Sequence, residues 1–194
     1  WLSLQGFEGE KTDYFFDWLN EHKPDWLGGL VAGPGSPPLP LLRKRLDQRY
    51  QLRDYPDITH VVRCQYPERN LDQVFALTAG REPINPRPLF YADVFADTAP
   101  HTNGFLSYSD GCHDDVNKVV WSALGWDPDQ TPRAILAEYA RCFFSSADAD
   151  AVADGILALE KNWDGPLRDN IGVSAALDQW QNLEKAHPTL KDNW

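Results

Sequence analysis

The sequence predicts an α/β fold in which about four parallel βα units are followed by an α-helical extension. Strand-like runs begin near residues 1, 27, 58 and 104, and helical spacing of apolar residues follows each of them. Strands that alternate with helices form parallel sheets. Strand signals stop near residue 128, and three or four amphipathic helices follow. We therefore expect residues 1–128 to be the C-terminal half of a (β/α)8-type barrel, a partial TIM-like barrel, with residues 129–194 packed on it as a helical extension.

The first two units are predicted by short apolar runs that end in turns. Residues 1–7 (WLSLQGF) alternate partly, and Thr12 is placed to cap a helix over residues 13–22. The continuous apolar run at residues 27–33 suits a strand that is covered on both faces. Its Gly/Pro-rich turn lacks the residues of a phosphate-binding loop, so we interpret it as chain geometry that leads into a helix over residues 39–50.

The third and fourth units have the clearer strand patterns. Residues 58–66 (ITHVVRCQY) are β-branched and alternating, which favours a strand. A short helix is predicted over residues 71–79, and the proline-dense connection at residues 80–88 is of a length that is often functional. Residues 104–108 form the last predicted strand, and Asp114 or Asp115 can cap the helix that follows it.

Composition excludes several classes of protein. The chain has a net charge of -11, and its basic residues cluster only at positions 43–45, which argues against nucleic acid as a partner. No apolar run approaches the roughly 20 residues that span a bilayer, so no membrane partner is predicted. The three cysteines form no C-x-x-C pair, and no motif indicates a cofactor.

The chain contains no Met and begins with Trp1. We therefore expect a fragment or excised domain whose true N-terminus, with the preceding half of the barrel, is missing from this sequence. A periplasmic or secreted bacterial protein is the corresponding expectation for its location.

The polar turn after residue 108 is the predicted centre of the functional site. Carboxyl ends of parallel strands meet at one edge of a sheet, so Asp110 is predicted as the acid/base residue and Glu8 as its partner. Such a carboxylate pair can cleave a glycosidic bond. The residues predicted to bind the oligo- or polysaccharide substrate around this pair are Gln65, Tyr66, Glu82, Tyr108, His113, Asp114, Asp115 and Trp121.

A family resemblance rests on four successive motifs: YSDG at residues 108–111, a Trp-containing helix, LGWDP at residues 124–128 and ILAEYARCFF at residues 135–144. Together they resemble the end of the (β/α)8 barrel in large bacterial glycoside hydrolases, similar in layout to the α-glucuronidase and β-hexosaminidase-like groups. The resemblance covers residues 1–165 in layout and 104–144 in motif. The resemblance implies a glycosidase of carbohydrate metabolism. For individual residues it implies only that residues 108–115 line the substrate pocket.

Two other functions fit the same residues. A non-catalytic carbohydrate-binding or scaffold protein would use the aromatic and polar groups without hydrolysis. A metal-dependent hydrolase would use His113 with Asp110, Asp114 and Asp115, because imidazole nitrogen and carboxylate oxygen are ligands typical of Zn or Mn.

Overall fold

A computed structural model describes residues 1–58, 65–78, 86–108 and 114–189 of the 194-residue chain. Within these ranges the protein is mainly helical, with a parallel sheet in the order β1 (Leu2–Ser3), β2 (Gly29–Ala32) and β3 (Gln51–Asp54). The helices are α1 (Glu10–His22), α2 (Leu39–Arg45), α3 (Gln73–Thr78), α4 (Pro88–Thr98), α5 (Asp115–Trp126), α6 (Pro132–Phe143), α7 (Ala149–Glu160) and α8 (Ile171–Ala186).

The prediction of a partial barrel with about four βα units is wrong. The third strand, β3, begins directly after the helix predicted over residues 39–50. Most of the run predicted as the third strand, residues 59–64, lies outside the described residues. Residues 105–108 are not a strand but form two single parallel bridges, Phe105 with Asp54 and Tyr108 with Asp57. Pro56 explains the interruption, because it has no N–H to donate to this ladder.

The sheet packs against α1 and α2 in a first hydrophobic cluster. Leu30 lies at the centre of the sheet, paired in register with Leu2 on one side and Leu52 on the other. Phe16 and Leu19 of α1 are fully buried against this layer. Each such side chain contributes about 1.5–3 kcal/mol when it is removed from water, so the cluster holds a sheet that is only three strands wide.

A second hydrophobic cluster joins α4, α5, α6 and α7. Helices α6, α7 and α8 follow residue 131, in the part of the chain where the sequence predicts three or four helices. The Thr131 hydroxyl accepts a hydrogen bond of 3.3 Å from the Ala134 N–H, and Pro132 occupies the first turn of α6. Asp148 precedes α7 without a side-chain capping hydrogen bond, and its Oδ1 atom lies 2.9 Å from His187 Nε2. No helix in the part of the chain that the structure describes is both long and apolar enough to cross a membrane.

Candidate functional site

A cavity of about 230 Å³ lies at the carboxyl ends of β2 and β3, where the sheet meets the end of α4. We call it the carboxyl-end cavity. This is the edge of a parallel sheet at which ligands bind in open α/β folds. The described residues that line it are Ala32, Gly33, Ser36, Pro37, Pro38, Leu39, Pro40, Asp54, Gln65, Tyr66, Asp97 and Thr98.

One wall of the cavity is the tight turn that follows β2. The Ser36 hydroxyl accepts a hydrogen bond of 2.9 Å from the Gly33 N–H, and the Ser36 N–H donates one of 2.9 Å to the Gly33 carbonyl. Gly35 has φ 77°, a left-handed conformation that glycine adopts without strain. The turn therefore holds the Ser36 side chain at the cavity on a backbone fixed by its own hydrogen bonds.

Asp54 ends β3 and is the most deeply buried carboxylate of the cavity, with 2% of its surface exposed. Its Oδ2 atom has no hydrogen-bond partner among the described residues. Burial raises the pKa of Asp54 to about 6, and interactions with the Tyr55 N–H and the Thr98 hydroxyl oppose that rise only in part. Loss of hydration disfavours the charged form of a carboxyl. Asp54 therefore holds a proton over a pH range in which an exposed aspartate is ionised.

Gln65 and Tyr66 form a second part of the cavity wall. The Gln65 side-chain carbonyl accepts a hydrogen bond of 3.0 Å from the Asp57 N–H, which ties this segment to the chain that continues from β3. Burial raises the pKa of the Tyr66 hydroxyl, and the negative charge of Asp54 raises it further. The Tyr66 hydroxyl consequently stays protonated and can donate a hydrogen bond.

The third wall is the last turn of α4, which carries Asp97 and Thr98. The start of this helix is fixed by Glu160, whose two carboxylate oxygens accept hydrogen bonds of 2.8 Å each from the N–H groups of Leu89 and Phe90. Asp97 adds a second carboxylate to that of Asp54. No lysine or arginine is among the described residues that line the cavity, so its local charge is negative.

The structure brings two of the sequence-predicted site residues to this cavity, Gln65 and Tyr66. Glu8 is instead exposed in the turn between β1 and α1. Tyr108 is half-buried, and its ring packs against that of Tyr55 with 5.6 Å between the centroids. Neither Glu8 nor Tyr108 lines the carboxyl-end cavity.

The residues predicted around the start of α5 have separate positions. Asp114 precedes α5, is buried, and lies 3.8 Å from the Lys118 ammonium. Asp115 is exposed and accepts a hydrogen bond from the Tyr139 hydroxyl. Trp121 is 1% exposed in the second hydrophobic cluster, edge-on to Phe95 at 5.4 Å.

Asp110, His113 and Glu82 lie outside the described residues. The predicted catalytic role of Asp110 and the metal-site alternative built on His113 therefore stay predictions. Within the described ranges, no three His, Cys, Asp or Glu side chains are grouped as a set that could hold a metal ion.

Sequence reasoning missed Asp54, Asp97 and Thr98. Tyr55 and Pro56, which follow Asp54, indicate a break in the chain and not a site residue. The four residues of β3, QLRD at 51–54, include a single apolar side chain, Leu52, so their hydropathy gives no strand pattern that would place a carboxylate at a strand end. That run is only four residues long and directly follows a helical pattern.

Comparison with known proteins assigns no family to this chain. No family model, no curated protein and no solved structure matches the chain. The resemblance to glycoside hydrolases stays a prediction from the sequence motifs.

Proposed function

We propose that the chain is part of a carbohydrate-active hydrolase in which the carboxyl-end cavity holds one sugar unit and Asp54 donates the proton to the leaving oxygen. The observation that carries this proposal is the buried carboxyl of Asp54 with its pKa raised to about 6. A general acid works best when its pKa is close to the pH at which it acts. Glycosidases use a carboxyl group whose pKa is raised in this way as the acid of a carboxylate pair.

Asp97 is the second carboxylate of the pair in this proposal. It lines the same cavity from α4, but its side chain is exposed whereas Asp54 is buried. Two carboxyl groups in such different surroundings are suited to different roles, one as proton donor and the other as the ionised group.

The other lining groups support a neutral, hydroxyl-rich substrate. Ser36, Gln65, Tyr66 and Thr98 offer hydroxyl and amide groups that can donate and accept hydrogen bonds. An anionic substrate would meet the Asp97 carboxylate with no lining cation among the described residues, which is unfavourable. The volume of about 230 Å³ lies below the roughly 300–1,000 Å³ of pockets for drug-sized ligands. A single neutral sugar ring fits these properties better than a uronic acid.

The test compares two leaving groups on the same sugar. The full chain is assayed with 4-nitrophenyl and methyl glycosides of neutral hexoses, N-acetylhexosamines and glucuronic acid. We expect hydrolysis of a neutral glycoside in preference to the glucuronide. Asp54→Asn should lower kcat/KM for the methyl glycoside by at least about 100-fold, the usual share of general acid catalysis, and by less for 4-nitrophenyl glycoside, whose leaving group needs little protonation.

Asp93→Asn is the matched control, because Asp93 is an exposed carboxylate one turn before Asp97 on α4 and does not line the carboxyl-end cavity. Its kcat/KM should equal that of the wild type. Equal losses for both leaving groups in Asp54→Asn would overturn the role of Asp54 as proton donor. Saturable sugar binding without hydrolysis would overturn the enzymatic proposal in favour of a carbohydrate-binding protein, and neither binding nor hydrolysis would overturn the substrate class.

A further inference from the structure

A groove of about 640 Å³ lies between α4 and the chain that joins α5 to α6. We call it the α4 groove. It shares no lining residue with the carboxyl-end cavity. Its volume falls within the roughly 300–1,000 Å³ that is typical of pockets for small organic ligands. The α4 groove is therefore large enough for a ligand that carries an aromatic ring and a short chain.

The described lining of the α4 groove is mostly apolar. Phe95 and Leu124 line it and also belong to the second hydrophobic cluster. Ala92 and Ala96 line it from α4, and Ala99 directly follows that helix. Because alanine side chains are short, this side of α4 leaves room for an apolar group to lie against it.

Three prolines stiffen the other parts of the groove, Pro100, Pro128 and Pro132. Proline fixes its own φ angle, so the chain at these positions has little freedom. Beside Pro128, the Asp127 N–H donates a hydrogen bond of 2.8 Å to the Ala123 carbonyl at the end of α5. The α4 groove is therefore a formed feature of the fold.

Asp93 gives the α4 groove a negative charge. It is the charged residue among the described lining, and it is exposed. Its carboxylate makes no hydrogen bond or ion pair with any residue that the structure describes. Two further acidic residues, Asp127 and Asp129, flank the lining residue Pro128. A carboxylate without a partner beside an apolar surface attracts a cation that also has an apolar part.

The arginines nearest to this lining in the sequence are paired with other groups. The Arg87 guanidinium lies 3.2 Å from Glu68 Oε2. The Arg133 guanidinium lies 2.7 Å from Asp154 Oδ1 and 3.2 Å from Asp150 Oδ1. Because both guanidinium groups are engaged away from the groove, a ligand that brings its own positive charge complements Asp93.

We propose that the α4 groove binds a small arylalkylamine, with its ring and alkyl chain on the apolar lining and its ammonium beside the Asp93 carboxylate. An acid of the same shape would be repelled by Asp93, and an uncharged alcohol would lack the ion pair. This site is independent of the proposed hydrolase function, because it shares no residue with the carboxyl-end cavity.

The test follows the ¹³C-methyl signals of three lining alanines in the full chain during titration with 4-phenylbutylamine. The signals are assigned by their loss in Ala92→Ser, Ala96→Ser and Ala99→Ser. We expect saturable shifts of all three, with a dissociation constant of roughly 1 mM for so small a ligand. The methyl signal of Ala32, which lines the carboxyl-end cavity, should not shift.

Two analogues with the same aromatic ring test the charge of the ligand. 4-Phenylbutanol, which has a hydroxyl in place of the ammonium, should bind about fivefold more weakly, since an exposed ion pair makes only a modest contribution. 4-Phenylbutyrate, which carries a negative charge, should produce no saturable shift.

Asp93→Asn should weaken the binding of 4-phenylbutylamine by about the same fivefold factor and leave the binding of 4-phenylbutanol unchanged. Asp97→Asn is the matched control, because Asp97 is also an exposed carboxylate on α4 but lines the carboxyl-end cavity and not the α4 groove. The affinity of Asp97→Asn for the amine should equal that of the wild type.

Several outcomes would overturn the proposal. The absence of a saturable shift would mean that the α4 groove holds only water. Equal affinities for the amine and the alcohol would show that Asp93 does not bind the ammonium, and this comparison remains if Asp93→Asn fails to fold. A shift at Ala32 with weaker binding in Asp97→Asn would place the amine in the carboxyl-end cavity. Shifts of the lining alanines on dilution without ligand would show that a second copy of the chain covers the groove.

Discussion

The main-chain carbonyl of Tyr66 accepts a hydrogen bond of 2.7 Å from the guanidinium of Arg87, a residue that is 2% exposed. The same guanidinium lies 3.2 Å from Glu68 Oε2 and 3.7 Å from the centroid of the Phe90 ring. Arg87 thereby fixes the segment that carries Tyr66 against the first turn of α4. One wall of the carboxyl-end cavity depends on a residue that does not line it.

Replacing Arg87 should therefore lower the stability of the protein. In Arg87→Met the Tyr66 carbonyl and the partly exposed Glu68 carboxylate lose their partner, and the loss of a buried hydrogen-bond partner typically costs about 1–3 kcal/mol. Urea unfolding of the two proteins measures the difference. Arg133→Met is the control, because Arg133 also pairs with two carboxylates, Asp150 and Asp154, but at the surface. Exposed pairs contribute about 0–1 kcal/mol, so similar losses in the two variants would contradict our account of Arg87.

Asp54→Asn should stabilise the protein, increasingly so as the pH rises. Its folded pKa of about 6 lies above its ordinary 3.8, so the stability contributed by the protonated carboxyl is fully present below pH 3.8 and is lost as the pH rises through about 6. At 1.36 kcal/mol per pKa unit the wild type loses roughly 3 kcal/mol in total. The advantage of the variant should be about 2 kcal/mol larger near pH 7.5 than near pH 4.5 in urea unfolding.

Asp97→Asn is the control for the stability change in Asp54→Asn. It shows whether removing any carboxylate from the carboxyl-end cavity has the same effect. Asp97 lines the same cavity but is exposed, and surface substitutions usually change stability by less than about 0.5 kcal/mol. A pH-independent advantage for Asp54→Asn, or one of equal size for Asp97→Asn, would show that Asp54 is not the buried proton carrier described above.

The rate of hydrolysis should depend on pH through the protonation of Asp54. If Asp54 acts as the general acid, only its protonated form is active, and kcat/KM should fall by about tenfold per pH unit above pH 6. The measurement is a pH profile of kcat/KM on the glycoside hydrolysed best. A kcat/KM that instead rises as the pH passes 6 would mean that Asp54 acts as a base. If the residual activity of Asp54→Asn falls above pH 6 in the same way as that of the wild type, the fall is caused by another group.

The helical part of this fold is predictable because its signals are local. Thr131 and Pro132 are residues typical of a helix start, and α6 begins at Pro132. The Thr131 hydroxyl accepts the hydrogen bond from the Ala134 N–H that is expected of a residue at the start of a helix. The first two strands lie within the runs predicted for them, at residues 1–7 and 27–33, but the pairing beyond β2 is not predictable in the same way. Pro56 interrupts the pairing with residues 105–108, and that effect depends on a partner about 50 residues away. Asp54 becomes a buried acid only when Thr98 and Tyr66 lie beside it. These residues are distant from Asp54 in sequence, so no local sequence pattern predicts its burial.

Glu160 should stabilise α4, and with it the Asp97 wall of the cavity, across a distance of about 70 residues in sequence. Glu160→Ala removes both hydrogen bonds to the first N–H groups of α4, those of Leu89 and Phe90. Losing a helix cap costs about 0.5–2 kcal/mol. We expect a loss in that range by urea unfolding, with the Leu89 and Phe90 amides exchanging faster with solvent. Glu138→Ala, at an exposed position on α6, should change neither.

A side chain at Gly33 should destabilise the protein, because the turn after β2 leaves no room for a Cβ atom there. A Cβ atom at Gly33 would lie 2.7 Å from Tyr55 Cδ1 and 3.1 Å from Gln5 Nε2, both closer than ordinary contact. Gly33→Ala must therefore push Tyr55 away from the turn that holds Ser36 at the cavity, and forcing an extra carbon into a packed site costs about 1–3 kcal/mol.

Gly28→Ala is the control, because Gly28 immediately precedes β2 as Gly33 immediately follows it. A Cβ atom at Gly28 has no neighbour within 4 Å among the described residues. Gly28→Ala should be neutral or slightly stabilising, because alanine restricts the unfolded chain. Urea unfolding and sugar binding are measured for both variants. Gly33→Ala should lose stability and weaken binding together, since the same displacement causes both. A Gly33→Ala protein as stable as Gly28→Ala would mean that the turn has room to move and does not hold the cavity in the described shape.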